Sequence, residues 1–380
     1  MGRSERRHWA EVYIRGLLLD GERKSIEPMA ARLPGADVQA LRQFVGQSPW
    51  DVSEVQRRLA HKAVNWLREP AVWILDETSF AKAGEHSVGV ARQYCGSLGK
   101  VANCQVAVSL HWGSTEATCP ISWRLYLPPE WLQDAARARE VGLPPGLGYK
   151  SKTDLALELV DQARQWQLPA LPVIGDSAYG NSFEFRAELR HRHCGYVMGV
   201  EPSTVVWTET PSASLPPSRG RGRPRQYPPL ESLPEPLDLL SLAKTLPAGA
   251  WRRVTWRHGS RGPQRSRFAL VPVWAAHRWR AQRHPPRLAE WLLIEWPDSA
   301  ARPTKYWLGW MNGQAVGLRR WVTLAHARWR IEQDYRELKE ELGLDHYEGR
   351  QWLGWHHQVT LVSLAFVFLR WLQARAKKNS

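Results

Sequence analysis

Two short apolar runs, Ala71-Val-Trp-Ile-Leu75 and Leu168-Pro-Ala-Leu-Pro-Val-Ile-Gly175, each lead straight into an aspartate, Asp76 and Asp176. Runs of this length and composition read as strands buried on both faces. A carboxylate at such a strand end stands at the rim of a sheet, where ligands gather in α/β folds. Between the two, Gly84 to Gln93 and Val101 to Trp112 read as further strands, the latter alternating at Val106, Val108 and Leu110, with Gly96 to Gly99 as the turn. Asp154 to Trp166 follows as a helix with Thr153 as its N-cap. After Asp176 come a helix, Ser182 to His191, and a strand, Gly195 to Val200. Three strands, helix, strand, helix, strand predicts a mixed α/β sheet with helices on its faces.

The flanking segments differ in pattern. Residues 1–69 carry apolar residues at helical spacing over Glu5–Leu19, Asp37–Gly46 and Val52–Trp66, with basic residues between them. That fits a small helical DNA-binding domain, or a helical cap with a solvated basic face. Residues 202–314 begin with a Pro/Ser/Arg-rich stretch. They continue in strand-like alternation at Phe268–Trp274, Trp291–Trp296 and Tyr306–Trp310, which reads as a β-rich insertion. In residues 315–380 a long helix is expected from Leu318 to Leu342, stopped by Gly343, then a largely apolar helix from Gly354 to Ala374. The catalytic core would thus occupy 70–201 and 315–380.

Charge narrows the partner. Lys and Arg number 52 against 37 Asp and Glu, a formal net charge of +15. Such an excess favours a polyanion, nucleic acid before an anionic membrane. The charged start carries no secretory pattern, and the apolar stretch Val359–Leu369 is too short to span a bilayer. A cytoplasmic, nucleoid-associated protein is expected, with no membrane role. Arg219, Arg221, Arg223 and Arg225 form an Arg-Gly-Arg-Pro loop. It could enter a narrow minor groove, or touch phosphates without reading bases. Tryptophans beside basic residues, as at Trp251 and Trp256, could stack on bases, although core packing accounts for most of the 22. His191, His193 and Cys194 lack the second ligand pair that zinc requires. Gly146 to Ser151 lacks the spacing and preceding strand of an ATP-binding loop.

The carboxylates carry the chemistry. Asp76 and Asp176 brought together would repel unless cations bridged them, and oxygen ligands suit Mg²⁺ or Mn²⁺. A third ligand is sought on the long helix, where Arg328, Glu332 and Lys339 share one stripe. Asp334, Glu337, Glu340 and Glu341 compete for the role, Glu337 being the nearest rival.

The segment Arg328-Trp-Arg-Ile-Glu-Gln-Asp-Tyr-Arg-Glu-Leu-Lys339 resembles the Y–R–E–K signature of insertion-sequence DDE transposases, with Ala325 where the tyrosine would stand. Gly175–Gly180 resembles the second-aspartate motif of that family, and Leu75–Lys82 with His86–Lys100 its first-aspartate region. The likeness is to the group named after insertion sequence 701. It implies an RNase H-like core interrupted by an insertion domain, with Asp76, Asp176 and Glu332 binding two Mg²⁺ or Mn²⁺ ions. It implies too that Arg328 and Lys339, joined by the neighbouring Arg336, grip phosphates of double-stranded DNA, and that protomers pair as a homodimer or larger assembly on the element ends. A stand-alone nuclease of the same fold, and a catalytically idle DNA-binding regulator, are the competing expectations.

Overall fold

The computed structural model describes residues 1–66, 72–114, 117–211, 233–259, 262–277 and 288–379. The chain opens with α1 (Ser4–Leu18), α2 (Ile26–Arg32), α3 (Val38–Gly46) and α4 (Val52–Trp66). Strands β1 (Val72–Ala81), β2 (Ala91–Cys95), β3 (Lys100–Gly113) and β4 (Thr118–Leu125) come next. Helices α5 (Pro129–Gln133), α6 (Ala135–Glu140) and α7 (Lys152–Gln165) lead to β5 (Val173–Gly175), α8 (Ser177–Gly180), α9 (Phe183–His191) and β6 (Tyr196–Val200). Then follow β7 (Val205–Trp207), β8 (Leu237–Asp238), α10 (Leu239–Thr245), β9 (Arg252–Gly259), β10 (Gly262–Ala275), β11 (Glu290–Trp296) and β12 (Lys305–Trp310). The last helices are α11 (Leu318–Ala325), α12 (Trp329–Glu340) and α13 (Trp352–Asn379). The architecture is mixed α/β with flanking helices, as the alternation of elements predicts. The basic loop carrying Arg219, Arg221, Arg223 and Arg225 lies outside the described residues.

Two compact units divide these elements: Met1–Leu171 with Ala327–Ser380, and Pro172–His326. In the first, β3 lies antiparallel between β1 and β4, and its opening residues pair with β2. Helices α1, α3 and α4 lie against α13 in the same unit. Their contacts include polar ones: Tyr13 donates to Gln358, Gln56 Nε2 donates to Thr360 Oγ1 at 2.9 Å, and His357 Nδ1 meets the Val45 carbonyl at 2.8 Å. These buried polar partners explain α13. It is long and apolar enough to cross a membrane, yet several of its polar side chains, Gln358, Thr360 and Ser363 among them, are buried against hydrogen-bonding partners inside the protein. In the second unit β5 runs parallel to β6, while β6, β12, β11 and β10 pair antiparallel in that order. A small apolar core of Val206, Leu239, Leu242, Val273, Ile294 and Leu308 packs α10 on this sheet.

Several expected boundaries move. β1 does not stop at Asp76 but continues to Ala81, because β3 stays in register with it from Gly113 to Cys104. The strand expected over Gly84–Gln93 begins only at Ala91, and the run from Leu168 is extended only over Val173–Gly175. Ser151, not Thr153, caps α7 through a reciprocal box with Asp154. A short helix, α2, has no counterpart in the sequence reading. The long helix expected over Leu318–Leu342 is two helices broken at His326–Arg328. No Gly or Pro marks that break. His326 ends α11, stacks on Trp256 at 4.3 Å between centroids, and turns Nε2 toward Glu295 at 3.4 Å. Tertiary packing of one ring overrides helical propensity there. Trp256 is thereby used inside the protein, and Trp251 packs edge-on against Trp296.

One consequence of the α13 packing is measurable. Burial pushes the His357 imidazole down to about 4. That lies below the ~6.5 of a free imidazole, so between these values the unfolded chain binds more protons than the folded one. The contribution to stability is complete above pH ~6.5 and is lost as pH falls toward 4. Denaturant unfolding should show a loss on the order of 2 kcal/mol between pH 7 and pH 5 from this group. His357→Gln should make the profile shallower over that window, the buried His356, also pushed down to about 4, keeping a comparable share, and an unchanged slope in the variant would exclude this source.

Candidate active site

Asp76 stands in the middle of β1, a strand buried along nearly its whole length, opposite Ser109 of β3. Its carboxylate is nearly enclosed, with 10% of the side chain exposed. Oδ1 accepts the Glu77 backbone N–H at 2.9 Å, and Oδ2 accepts Arg328 Nη1 at 3.1 Å. Arg328 is the N-cap residue of α12. The same Nη1 lies 3.9 Å from Glu332 Oε1, one turn into the helix, where the side chain is 74% exposed. One guanidinium therefore sits between a buried strand carboxylate and an exposed helix carboxylate. Farther along α12, Lys339 Nζ donates to the Ser79 carbonyl of β1 at 2.8 Å. Arg336 is exposed on the same helix.

The opposite side of α12 is anchored by groups that motif spacing alone did not mark. Asp334 is buried, accepts Arg370 Nη2 at 3.1 Å and Thr118 Oγ1, and lies 3.5 Å from His111 Nδ1. Tyr335 and Ser109 share a hydrogen bond of 2.6 Å between their hydroxyls, which ties α12 to β3 directly across from Asp76. Burial raises the Tyr335 hydroxyl well above the usual tyrosine range, and the Asp76 charge adds to it. Burial likewise holds the His111 imidazole below its ordinary value, against the pull of Asp334. His111 is thus a packed histidine beside a structural carboxylate. Glu337, the rival to Glu332, pairs with Arg370 at 2.9 Å and accepts Gln333 Nε2 at 2.9 Å. Of the two, Glu332 is the one beside Arg328.

Asp176 belongs to the second unit. It directly follows β5 and caps α8, with Oδ1 accepting the Ala178 N–H at 3.0 Å. The turn is tight because α8 lies against β6: a Cβ at Gly180 would collide with the Gly199 carbonyl. Glycine at 180 is therefore a steric requirement of this strand–helix corner. Asp176 keeps the strand-end position expected of it, whereas Asp76 does not. Among the described residues no group of three or more His, Cys, Asp or Glu side chains is gathered closely enough to hold a metal ion. The four cysteines are free and buried.

Comparison with known proteins gives two findings. A family model described as "DDE superfamily endonuclease" matches residues 1–263. A relative from Microchaete diplosiphon, described as "Probable transposase for insertion sequence element IS701", is 29% identical over 194 residues, covering 50% of this chain and 48% of that protein. The chain thus spans about half the length of the curated relative it matches.

Proposed function

The chain belongs to the DDE superfamily of endonucleases, and from that premise we propose that it is a transposase of the insertion sequence 701 type. It would bind the terminal inverted repeats of a mobile element, cleave DNA by metal-dependent hydrolysis and join the released 3′-OH ends to target DNA. Its core is read as RNase H-like, interrupted by the β-rich segment 202–314 and preceded by the helices of residues 1–69. The observation that carries the reading is the convergence of Asp76 Oδ2 and Glu332 Oε1 on one Arg328 Nη1, at 3.1 and 3.9 Å. Strand and helix carboxylates share a cation-sized neighbourhood there, and Asp176 ends the other motif strand.

Asp76, Asp176 and Glu332 are read as the ligands of Mg²⁺ or Mn²⁺. All three offer hard oxygen donors, which fit these ions. Bound there, two ions would activate a nucleophile and stabilise the leaving oxygen of a phosphodiester. Arg328, in this reading, neutralises the carboxylates when no metal is bound and turns to a phosphate when DNA arrives. Lys339 and Arg336 supply further phosphate contacts, and the arginines 219, 221, 223 and 225 a basic arm. The active form is read as a homodimer or larger assembly on DNA, acting at the nucleoid.

The test is a strand-transfer assay with purified protein, Mg²⁺ or Mn²⁺, and duplex DNA carrying the inverted repeats that flank the coding region. Joined product is expected. Cleavage without joining would favour a stand-alone nuclease, and binding without cleavage a regulator.

A further inference from the structure

A cavity of about 460 Å³ opens in the first unit just past the end of β1, lined in part by Arg23, Lys82, His86, His346 and Arg350. Two acids also line it: Glu348 pairs with Arg23, and Asp345 lies 3.9 Å from the His346 ring. Lys82 is half-buried at its floor and continues the strand, its N–H donating to the Asn103 carbonyl at 2.9 Å. Its ammonium donates to the Tyr347 carbonyl at 2.7 Å. An ammonium has three donors, so the group can hold a ligand oxygen as well. Arg350 is exposed, and its backbone carbonyl secures the wall by accepting the Val88 N–H at 3.0 Å. Asp345 acts electrostatically on both Lys82 and Lys339, so the two ammonium groups belong to one neighbourhood.

The cations follow β1. Arg328 reaches Asp76, Lys339 reaches Ser79, and Lys82 stands at the end. From Asp76 to Lys82 an extended chain covers about 20 Å. A DNA strand carries one phosphate per ~3.4 Å of helix axis, so this track spans roughly six nucleotides.

We propose that the cleft formed by Lys82, His86 and Arg350 is a DNA phosphate-binding subsite, engaging the backbone about six nucleotides from the bond cleaved at Asp76. The placement rests on reading Asp76 as the cleavage centre; the phosphate chemistry of the cleft does not. Binding of the whole chain to linear duplex DNA of arbitrary sequence, measured across a salt series, tests it. Lys82→Gln and Arg350→Gln should each weaken binding several-fold and shrink the salt slope by about one, whereas Lys244→Gln, an exposed lysine of the second unit, should change it less. Arg350→Gln keeps the test decisive if Lys82→Gln disturbs the fold, because Arg350 holds the wall through its backbone. Slopes unchanged in the cleft variants, or reduced equally by Lys244→Gln, overturn the subsite and leave the transposase reading standing. Absence of DNA binding by the unaltered protein would overturn both. A single uncharged methylphosphonate linkage moved along an element-end duplex should weaken binding most about six nucleotides from the cleaved bond. No such dependence would overturn the placement.

Discussion

Asp76→Asn is expected to lower DNA cleavage by at least about 10³-fold, some 4 kcal/mol of barrier, while duplex binding stays within a few-fold of the unaltered protein. The carboxamide preserves the shape of a side chain enclosed between β1 and α12 and still offers one oxygen to the Arg328 guanidinium. What it removes is the negative charge that a divalent ion needs as ligand. Asp176→Asn and Glu332→Gln should give the same pattern. Glu337→Gln should not, since Glu337 is tied to Arg370 and Gln333 rather than to Arg328. Plasmid cleavage in Mg²⁺ and in Mn²⁺, run beside a binding assay and a thermal melt, checks the set. Full cleavage by any of the three amide variants would remove that residue from the site, and a defect in Glu337→Gln as deep as in Glu332→Gln would reopen the choice between them.

Asp334→Leu is expected to be the most destabilising single change in α12, by about 3–5 kcal/mol, or roughly 10 °C in melting temperature. Asp334 is buried with Arg370, Thr118 and His111 around it. Its removal leaves the Arg370 guanidinium, 17% exposed, with Glu337 as its remaining ionic partner among the described residues. Breaking one half of a buried pair is far worse than replacing both halves. The double variant Asp334→Leu with Arg370→Met should therefore recover much of the loss, and a double-variant cycle would measure the coupling. A melting temperature within 2 °C of the unaltered protein in Asp334→Leu would show that the network does not hold α12. Cleavage in the single variant should return at low temperature, where the fold persists, because Asp334 faces Arg370, Thr118 and His111 rather than Arg328.

Arg328, Glu332 and Lys339 were legible together because helical periodicity converts a spacing of four and seven residues into one face, and the face they share is the one that meets β1. Asp176 was legible because a strand that ends in a helix cap leaves a local signature. Asp76 was singled out for the wrong local reason: the apolar run stops there, but the strand does not, since β3 continues to pair with it. Asp334, one of the competitors for the third ligand, faces away from that stripe, and this rotation is what lets it reach Arg370 and His111. Lys82 and Arg350 share a cleft although 268 positions separate them in sequence, and no local pattern links them.

The amino-acid sequence by itself determined the kind and order of the longer elements around the two aspartates, the excess of positive charge and the short-range geometry of the carboxylate motifs. These depend on backbone periodicity and on side chains a few residues apart. Only the tertiary structure decided where strands and helices end and which charges meet: the break at His326, the continuation of β1 through Asp76, the guanidinium shared by Asp76 and Glu332, and the buried anchor at Asp334. Each of these arises from groups far apart in the chain, whose energies depend on burial and mutual distance, quantities that come into being only when the chain has folded.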